Sequence, residues 1–443
     1  MFAALNSFLT RAVSGYFLNK SLRFRFSAGA YLNRTFGTPT NNIKWTWSAW
    51  VKRGKLSSAG VMFQGYSSLS NRTALQFNSS DQLVFNGTVA TATTTAVFRD
   101  PAAWYHIVCV YDSANGTAAN RLLLYVNGTA QTVTGTQPTA SQVEYINGAW
   151  LHYISTGYSG AFEYLDENLA EVNFVDGQAL APTAFGAYST YNQWLPIRYA
   201  GTYGTNGFYL PFTNTTSTST LVADSSGNAN NWTPNNISLT AGSTYDSLTD
   251  VPTLTSTTVA NYATWNPLKL QGNAATDGNL KATMTAGGPP YVAGYGVRST
   301  VGIPLSGKWY AEIIPVTADA ADGIGITDIN TWNTDVNTIG NNTVYYRQTG
   351  TKYVNGVNNV AYGLSYSASD VIGVAVDITG GTVTFYKNNA SQGAITLPSS
   401  TATYCFLVTN GNATAASFTA NFGQQPFTYT APSGFLPLNT FNI

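Results

Sequence analysis

The feature of this sequence that most constrains its fold is a two-residue alternation of apolar and polar side chains. In the segment LRFRFS, Leu22, Phe24 and Phe26 alternate with arginine and serine, and in WTWSAWVKRGKL the alternating positions include Trp45 and Trp47. Successive side chains of a β-strand point to opposite faces of a sheet, so this period predicts half-buried strands.

Similar segments recur at intervals of about ten residues, with glycine, asparagine or aspartate between them. Those of the first half read GVMFQGYS, TALQFNSS, QLVFNGTV, WYHIVCVYD, RLLLYVNGTAQTV and ENLAEVNFVDGQAL. Regularly spaced short strands are typical of antiparallel sandwiches and jelly rolls. We therefore expect an all-β chain of two antiparallel β-sandwich (jelly-roll-like) domains, preceded by a short N-terminal amphipathic helix.

The charge content narrows the classes of function. Only 9% of the 443 residues are charged, and 20 basic residues balance 20 acidic ones. Binding to nucleic acid needs a clustered basic surface, so we expect no nucleic acid partner. No apolar run reaches the roughly 18 residues of a membrane-spanning helix, so we expect no membrane span. A surface with so little charge favours a protein held in a fixed assembly.

Residues 1–20 differ in pattern from the rest of the chain. Their apolar side chains recur every three or four residues, which predicts one stripe of an amphipathic helix formed by Leu5, Phe8, Leu9, Ala12, Val13, Tyr16 and Phe17. A helix this short needs a surface on which to bury its stripe. We assign it as a docking helix, with packing on its own domain as the alternative. It lacks the Lys/Arg-rich face of a membrane-surface helix and the continuous apolar stretch of a secretory signal.

Four segments of the first half resemble successive strands of a laminin-G-like, concanavalin A-like jelly roll. They are WTWSAWVKRG, WYHIVCVYD, RLLLYVNGTA and NLAEVNFVDGQAL, and the similarity covers about residues 22–213. Residues 207–236 resemble an element that often begins such domains, although here the element lies at the end. We assign 21–236 to this domain, and 237–262, which lacks apolar periodicity, to an extended linker.

The second half, residues 263–443, resembles the SPRY domain. The matching motifs are GKWYAE, GIG, DVIGVAVD, TVTFYKN and ANFGQQPF, at Gly307–Glu312, Gly323–Gly325, Asp370–Asp377, Thr382–Asn388 and Ala420–Phe427. The order of these motifs is that of the family, so the resemblance implies a second β-sandwich.

The pairing of these two modules, together with the ending FGQQPFTYTAPSGFLPLNT, resembles structural proteins of tailed bacteriophages. The resemblance implies a virion protein that is assembled in the host cytoplasm and joined to other virion proteins through the N-terminal helix. We expect a tail fibre or spike that binds a host-surface glycan or protein through loops. A capsid decoration or cement protein and a glycan depolymerase are the alternatives. A homo-oligomer is expected; fibres are commonly trimers, although no heptad or repeat here requires one.

The sequence offers few groups for catalysis. His106 and His152 lie in apolar, strand-like runs and are interpreted as structural residues, because no Cys/His cluster suggests zinc. Cys109 and Cys405 are far apart in the sequence, in similar runs, and are predicted to be buried free thiols.

A glycoside hydrolase requires two carboxylates that face one cleft. The nearest candidate segment is FEYLDENLAEV, with Glu163, Asp166, Glu167 and Glu171. On a strand, Glu163 and Asp166 would face opposite sides, whereas Glu167 and Glu171 would share a face. A turn expected near Asp166 separates this second pair from Glu163. We therefore predict a non-enzymatic protein without catalytic residues.

Calcium is the one metal that the sequence suggests, because laminin-G-like domains often hold it at a loop. The segment ADSSGNANNW offers oxygen ligands from Asp224, Ser226, Asn228 and Asn230. These residue types are also the ordinary residues of turns, and Asp224 is the one carboxylate. We predict no cofactor, with calcium at Asp224, Asn228 and Asn230 as the alternative.

Both families place ligand contacts on the loops of a rigid sheet framework, and exposed aromatic rings suit sugars. The candidates are Trp332, Tyr346, Arg347 and Tyr353 in the second domain, and Tyr66, Tyr153 and Tyr158 in the first. Because Tyr345 and Tyr346 are adjacent, only one of them should face outward from a strand. For each candidate, a scaffold role is the competing interpretation.

Overall fold

The computed structural model describes residues 15–157, 160, 163–268, 273–284, 295–317, 319–320, 322–330, 341–411 and 414–443. The chain divides into two compact units: the first runs to Leu239 and includes Asp246–Thr255, and the second takes Thr240–Tyr245 and Ser256–Ile443. Both units consist mainly of antiparallel strands, which confirms the predicted all-β class. Among the residues described, no helix has the length and apolar character that a membrane crossing requires.

The N-terminal helix predicted for residues 1–20 falls mostly outside the described residues. The described part of that segment, residues 15–20, contains no helix. The structure therefore shows two β-sandwich units, and for residues 1–14 the helix stays a prediction.

The strands of the first unit are short and numerous. They are β1 (Ser21–Arg23), β2 (Tyr31–Thr35), β3 (Lys44–Lys52), β4 (Gly60–Ser68), β5 (Asn71–Phe77), β6 (Leu83–Asn86), β7 (Thr91–Thr94), β8 (Trp104–Asp112), β9 (Leu122–Val126), β10 (Thr129–Ala130), β11 (Val133–Thr136), β12 (Leu151–Ile154), β13 (Asn168–Asp176), β14 (Gly186–Tyr188), β15 (Trp194–Pro196), β16 (Phe208–Leu210), β17 (Thr233–Asn235) and β18 (Ser247–Leu248). The described helices are the 3-10 turns Phe26–Ala28, Ala118–Asn120 and Pro182–Ala184 and one α-helical turn, α1 (Thr218–Leu221).

Two eight-stranded sheets form the sandwich of the first unit. The first sheet has the order β10-β9-β8-β3-β13-β1-β18, with β16 paired to β13, and the second has the order β11-β7-β6-β5-β4-β12-β2-β17. Apolar side chains from both sheets form one buried cluster, which includes Trp45, Trp47, Phe63, Phe174 and Phe208. Trp45 and Trp47 are alternating positions of the sequence, so the two-residue period correctly placed them in the core. Phe26, which the same period predicted to be buried, begins a 3-10 turn and is exposed.

The first sheet is covered on its outer face as well. Val108, Val110 and Val175 point away from the main core and pack with Tyr203 and Tyr209 in a second buried cluster. A strand that is buried on both faces has few polar positions. This double burial explains why β8 reads as a nearly continuous apolar run.

Strand β13 contains one extra residue, a β-bulge, and the side chains that follow the bulge point to the opposite face of the sheet from the one that simple alternation predicts. The pairing of β13 with β3 shifts between Ala170 and Asn173, and Glu171 has a φ of +53°. Leu169 and Phe174 both face the main core, so the alternation changes parity across this bulge. Without the bulge, Glu171 would point into the core beside Leu169.

The bulge overturns one expectation from the sequence. Glu167 was expected to share a face with Glu171, but Glu167 accepts a hydrogen bond of 2.5 Å from Arg53, whose guanidinium lies over the core ring of Phe77. Glu171 instead hydrogen-bonds Tyr209 on the outer face of the sheet. The two carboxylates therefore lie on opposite faces and cannot act as a pair.

Part of the segment assigned to a linker belongs to the first sheet. Strand β18 pairs with β1, and Asp246 accepts hydrogen bonds from Arg23 Nε at 3.2 Å and Arg25 Nε at 2.8 Å. Asp250 accepts one from Lys52 Nζ at 2.7 Å. This segment is held by carboxylates that pair with buried cations. Because it carries no apolar stripe, its sequence shows no hydrophobic periodicity that would indicate a strand.

The second unit also contains two sheets. Its strands are β19 (Ala274–Thr276), β20 (Lys281–Met284), β21 (Tyr295–Arg298), β22 (Lys308–Thr317), β23 (Gly323–Asp328), β24 (Val344–Arg347), β25 (Thr351–Val354), β26 (Val357–Ala361), β27 (Ile372–Asp377), β28 (Thr382–Lys387), β29 (Ala390–Thr396), β30 (Tyr404–Asn410), β31 (Ala416–Asn421) and β32 (Leu436–Pro437). One sheet has the order β19-β20-β31-β22-β27-β28-β29, with β32 on β22, and the other has the order β21-β30-β23-β24-β25-β26.

The sequence motifs of the second half lie on strands of these sheets. Glu312, which ends the GKWYAE motif on β22, accepts backbone hydrogen bonds from Thr428 at 2.7 Å and Tyr429 at 2.8 Å. Gly325, in the GIG motif on β23, packs so closely on β24 that a Cβ atom would lie 2.0 Å from the Val344 carbonyl oxygen. The motifs thus fasten the C-terminal segment and allow close strand packing.

We expect that replacing Lys52 by methionine destabilises the first unit by about 3–5 kcal/mol, because it removes the cation that balances the buried carboxylate of Asp250. Both side chains of this pair are at most 2% exposed. Denaturation in guanidinium chloride, followed by tryptophan fluorescence, measures the loss.

The matched control is Lys44→Met, which breaks the more exposed pair with Asp112 in the same unit. It should cost less than about 1 kcal/mol. Equal losses for Lys52→Met and Lys44→Met would show that the buried pair does not hold the 246–250 segment.

Candidate ligand-binding site

An open cavity of about 300 Å³ lies on the outer face of the first sheet in the first unit. Its walls come from residues 16–20, from Glu171 and Arg198, from Tyr209, Pro211 and Thr213, and from Ser225. Aromatic rings, one carboxyl group and two cationic side chains therefore meet in one concavity. We call it the first-unit cavity.

Three separate parts of the chain position its main groups. Residues 16–20 are anchored at Leu18, whose backbone N–H donates to Thr253 Oγ1 at 3.1 Å and whose carbonyl accepts from Thr255 Oγ1 at 2.9 Å. Strand β16 carries Tyr209 opposite Asn173 of β13. The bulge in β13 turns Glu171 toward Tyr209. The cavity thus depends on contacts between residues more than 150 positions apart.

Three side chains form a closed triangle of short contacts at the base of the cavity. Glu171 accepts from the hydroxyl of Tyr16 at 2.7 Å and from that of Tyr209 at 2.8 Å. The two hydroxyl oxygens lie 3.0 Å apart. We call these three residues the tyrosine–glutamate ring.

Burial dominates the protonation of the tyrosine–glutamate ring. It raises the pKa of Glu171 to about 7, although hydrogen bonds from both tyrosines and the charge of Arg198 act in the opposite direction. Burial and the nearby carboxylate raise the pKa of Tyr16 to about 12 and that of Tyr209 further. Both phenols therefore keep their protons at neutral pH, and Glu171 is the group of the ring that titrates there.

Two cations line the same cavity. The guanidinium carbon of Arg198 lies 4.1 Å from the centroid of the Tyr209 ring, and the Arg198 side chain hydrogen-bonds Tyr16. Lys20 is half-buried, and this burial lowers the pKa of its ammonium group. Within the described ranges, Lys20 makes no hydrogen bond or ion pair.

The chemistry of this cavity suits binding. Ring faces, hydroxyl groups and fixed charges are the features that orient a polar ligand in a concave site. Hydrolysis of a glycoside would need a second carboxyl group within about 10 Å on the same cleft. Among the described residues that line the cavity, Glu171 is the sole carboxylate.

The predicted docking residues are only partly described. Leu5, Phe8, Leu9 and Val13 lie outside the described residues. Tyr16 belongs to the tyrosine–glutamate ring, so its hydroxyl is bound within its own unit. Phe17 is 38% exposed at the cavity wall. Tyr16 therefore packs on its own domain, which was the alternative to docking on a partner.

The predicted ligand contacts of the second unit do not form an open site in the described part. Trp332 lies outside the described residues. Tyr346 is fully buried, and its hydroxyl donates to the carbonyl of Leu364. Arg347 is 7% exposed and donates from Nη1 to the side-chain oxygen of Asn359 at 2.7 Å. Tyr346 and Arg347 are therefore scaffold residues.

The remaining aromatic candidates are mostly packed against other rings. Tyr353 is half-buried and stacks on Tyr345 with ring centroids 4.6 Å apart. Tyr345 and Tyr346 are both buried, so neither member of this adjacent pair is exposed as predicted. Tyr153 is buried and lies edge-on to the half-buried Tyr66. Tyr158 lies outside the described residues.

The predicted calcium ligands organise a loop. The carboxylate of Asp224 accepts from the backbone N–H of Tyr209 at 2.9 Å, of Ser226 at 2.8 Å and of Asn230 at 2.8 Å. The amide groups of Asn228 and Asn230 donate to backbone carbonyls of the neighbouring loop. In the described part of the chain, no group of three or more His, Cys, Asp or Glu residues could hold a metal ion. The loop contributes to the cavity by fixing the backbone of Tyr209.

Both histidines are buried and hydrogen-bonded. His106 contacts Ser48 Oγ at 2.9 Å and accepts from Trp194 Nε1 at 3.0 Å. His152 accepts from the backbone N–H of Asn147 at 3.2 Å. Burial lowers the pKa of each to about 3, so both stay neutral. Their structural interpretation agrees with these contacts.

Sequence reasoning did not identify Lys20, Arg198 or Tyr209. Lys20 and Arg198 each follow an apolar stretch that gives no sign of a shared site, and Tyr209 lies in the strand-like run FYLPF. The one local indication of this site in the sequence was Glu171, because it is a carboxylate in the otherwise uncharged segment NLAEVNF. A charged residue in a strand that is buried on both faces indicates a specific partner.

Two family models match the chain. Residues 26–184 match Laminin_G_3, which belongs to the concanavalin A-like lectin/glucanases superfamily, and residues 323–425 match the SPRY domain. The chain therefore contains the two kinds of domain that the sequence motifs resembled.

Similar solved structures cover one or other part of the chain. The SPRY domain of human HERC1 is 16% identical over 38% of this chain and 99% of that chain, with a TM-score of 0.30. A candidate carbohydrate-binding protein from Bacteroides ovatus is 17% identical over 49% of this chain and 58% of that chain, with a TM-score of 0.35. The SAP-like pentraxin of Limulus polyphemus is 16% identical over 37% of this chain and 77% of that chain, with a TM-score of 0.28. A search of curated proteins found no match.

We expect the wild-type protein to lose stability as the pH rises from about 5 to about 8, and Glu171→Gln to lose less. The folded state raises the pKa of Glu171 from 4.5 to about 7 and so retains a proton that the unfolded chain releases. Stability therefore falls as pH rises through this window. The difference between the two proteins should reach roughly 2–3 kcal/mol, measured by chemical denaturation at each pH.

Glu163→Gln is the control, because it removes a carboxylate of the same unit while the tyrosine–glutamate ring stays intact. Its pH profile should follow that of the wild-type protein. If Glu171→Gln followed that profile too, Glu171 would titrate as an ordinary carboxylate.

Proposed function

We propose that this chain is a non-enzymatic adhesin that binds a host-surface glycan through the first-unit cavity, as part of a bacteriophage tail fibre or spike. The observation that carries the proposal is the cavity of about 300 Å³ in which aromatic rings, hydroxyl groups and two cations converge. A concave site with a few converging polar groups is the usual form of a small-ligand site.

The composition of the cavity walls supports a saccharide ligand. A sugar presents apolar C–H faces and many hydroxyl groups at once. Tyr16 and Phe17 offer ring surface, and Asn19, Thr213 and Ser225 offer hydrogen-bonding groups on the same wall. The concanavalin A-like lectin/glucanase match over residues 26–184 is compatible with this class of ligand.

The role in a phage particle rests on the resemblance of the sequence to tailed-phage structural proteins. The supporting features are the order of the two modules, the ending FGQQPFTYTAPSGFLPLNT and a net charge of zero, which suits a protein held in an assembly. Because Tyr16 is bound within the first unit, attachment to the particle is assigned to the apolar stripe of residues 1–14.

We expect Thr213→Trp to weaken glycan binding at least tenfold, because Thr213 is an exposed residue of the cavity wall and a bulky ring there blocks the entrance. A glycan array, followed by titration of the bound glycans, measures the change. Thr215→Trp is the matched control, since Thr215 is exposed and lies outside the cavity wall.

The array experiment also separates the alternatives. Failure of the wild-type protein to bind any glycan, or equal binding by Thr213→Trp, would contradict the proposal. Release of reducing sugar from a bound glycan would show a depolymerase instead.

Deletion of residues 1–14 should leave a folded protein that no longer joins phage particles, because the anchoring contacts of Leu18 remain in place while the apolar stripe is lost. Antibody labelling of particles in the electron microscope measures incorporation and shows whether the label lies on tail or head. Unchanged incorporation would exclude attachment through this segment. A label on the head would favour the capsid decoration protein.

A further inference from the structure

We infer that the first-unit cavity recognises an acidic saccharide, whose carboxylate or sulfate group binds between Lys20 and Arg198, and that protonation of Glu171 strengthens this binding. The inference rests on the proposed glycan-binding function and names the class of glycan. It is carried by the placement of two cations and one shielded carboxyl group in the same cavity.

Lys20 is the first part of the argument. Lys20 lines the cavity and is half-buried, and its ammonium group has no hydrogen-bond or ion-pair partner within the described ranges. Burial without a partner is unfavourable for a cation, and its lowered pKa reflects that cost. An anionic group of a ligand would provide the missing partner.

Arg198 provides the second cation. Its guanidinium group stacks on the ring of Tyr209, with 4.1 Å between the guanidinium carbon and the ring centroid, and its side chain is exposed to solvent. Stacking fixes the plane of the group, and its N–H donors then point outward along that plane. The two oxygens of a carboxylate, or two oxygens of a sulfate group, can each accept a hydrogen bond from these donors.

The protonation state of Glu171 in the tyrosine–glutamate ring determines whether a negative charge lies near these two cations. Its three contacts of 2.7, 2.8 and 3.0 Å each need one proton. The two phenols supply two protons, and the third is present only when Glu171 is protonated. In the neutral carboxyl group one oxygen donates to a tyrosine while the other accepts, so each of the three contacts has a proton, and burial favours the same state.

The groups that face Glu171 come from each neighbouring element. They are Tyr16 of the N-terminal wall, Tyr209 of β16, Tyr203, and Arg198 after β15. The tyrosines stay neutral below the pKa of Glu171, so in this set Glu171 is the group whose charge changes near pH 7. When Glu171 is neutral, Lys20 and Arg198 leave the cavity with net positive charge. When Glu171 ionises, it cancels one of these charges and weakens the attraction for an anion.

The test compares glycans that share a backbone and differ in one acidic group. Each glycan bound on the array is examined in its carboxylated, sulfated and carboxyl-reduced forms. We expect the carboxyl-reduced form to bind at least tenfold more weakly than an acidic form, and the preferred acidic form identifies carboxylate or sulfate as the recognised group. Equal binding of acidic and neutral forms would overturn the inference while leaving glycan binding intact, whereas absence of all binding would overturn the proposed function itself.

Three variants assign the effect to its residues. Lys20→Gln should lose the preference for the acidic form and keep binding to the neutral form, whereas Lys44→Gln, which changes a lysine outside the cavity, should keep the preference. The wild-type protein should bind the acidic glycan roughly fivefold more tightly at pH 5.5 than at pH 8. In Glu171→Gln this pH dependence should disappear. A pH dependence that persists in Glu171→Gln, or an acid preference that persists in Lys20→Gln, would contradict the assignment.

Discussion

The single extra residue in β13 is the constraint on which the rest of the first-unit site depends. The strand is buried on both faces, so every side chain in it must either pack or find a polar partner. At Glu171 the bulge places a carboxyl group on the outer face, where Tyr16 and Tyr209 bind it. The same displacement separates Glu171 from Glu167, which binds Arg53 on the other face. One local irregularity thus places Glu171 in the first-unit cavity and keeps it apart from Glu167.

Several of the few charged side chains in this chain are buried in specific ion pairs. Arg23 and Lys52 are nearly inaccessible to solvent, and each is paired with an aspartate from the segment 246–250. A buried cation that has lost its partner is strongly destabilising, so these pairs fix where the segment must lie. Lys20 differs from them because it is half-buried without such a partner in the described part of the chain. That contrast, within a single unit, supports the proposal that Lys20 serves a ligand, whereas Arg23 and Lys52 hold the fold.

The sequence predicted the two-sandwich architecture well, because the alternation of side chains along a strand can be seen within a few consecutive residues. Trp45 and Trp47 occupy the core positions that alternation assigns to them, and the ordered motifs led to both kinds of domain. The first-unit cavity could not be predicted in the same way. It joins Tyr16 to Glu171 and Tyr209 across more than 150 positions, and neither a bulge nor a long-range contact has a periodic signature. The prediction that Tyr346 contacts a ligand was wrong, because this residue lies on β24 and a tyrosine packs equally well in a core.

The location of the cavity also bears on how rigid the site is. Its base belongs to a strand in the middle of an eight-stranded sheet, and its N-terminal wall is held through both backbone groups of Leu18. A site built on such elements loses little conformational entropy when it binds, so a few well-placed contacts suffice for affinity. In the proposed binding mode the proton on Glu171 is the main variable, because it changes the net charge of the cavity. Acid-dependent recognition is therefore achievable here through electrostatics alone, without a conformational switch.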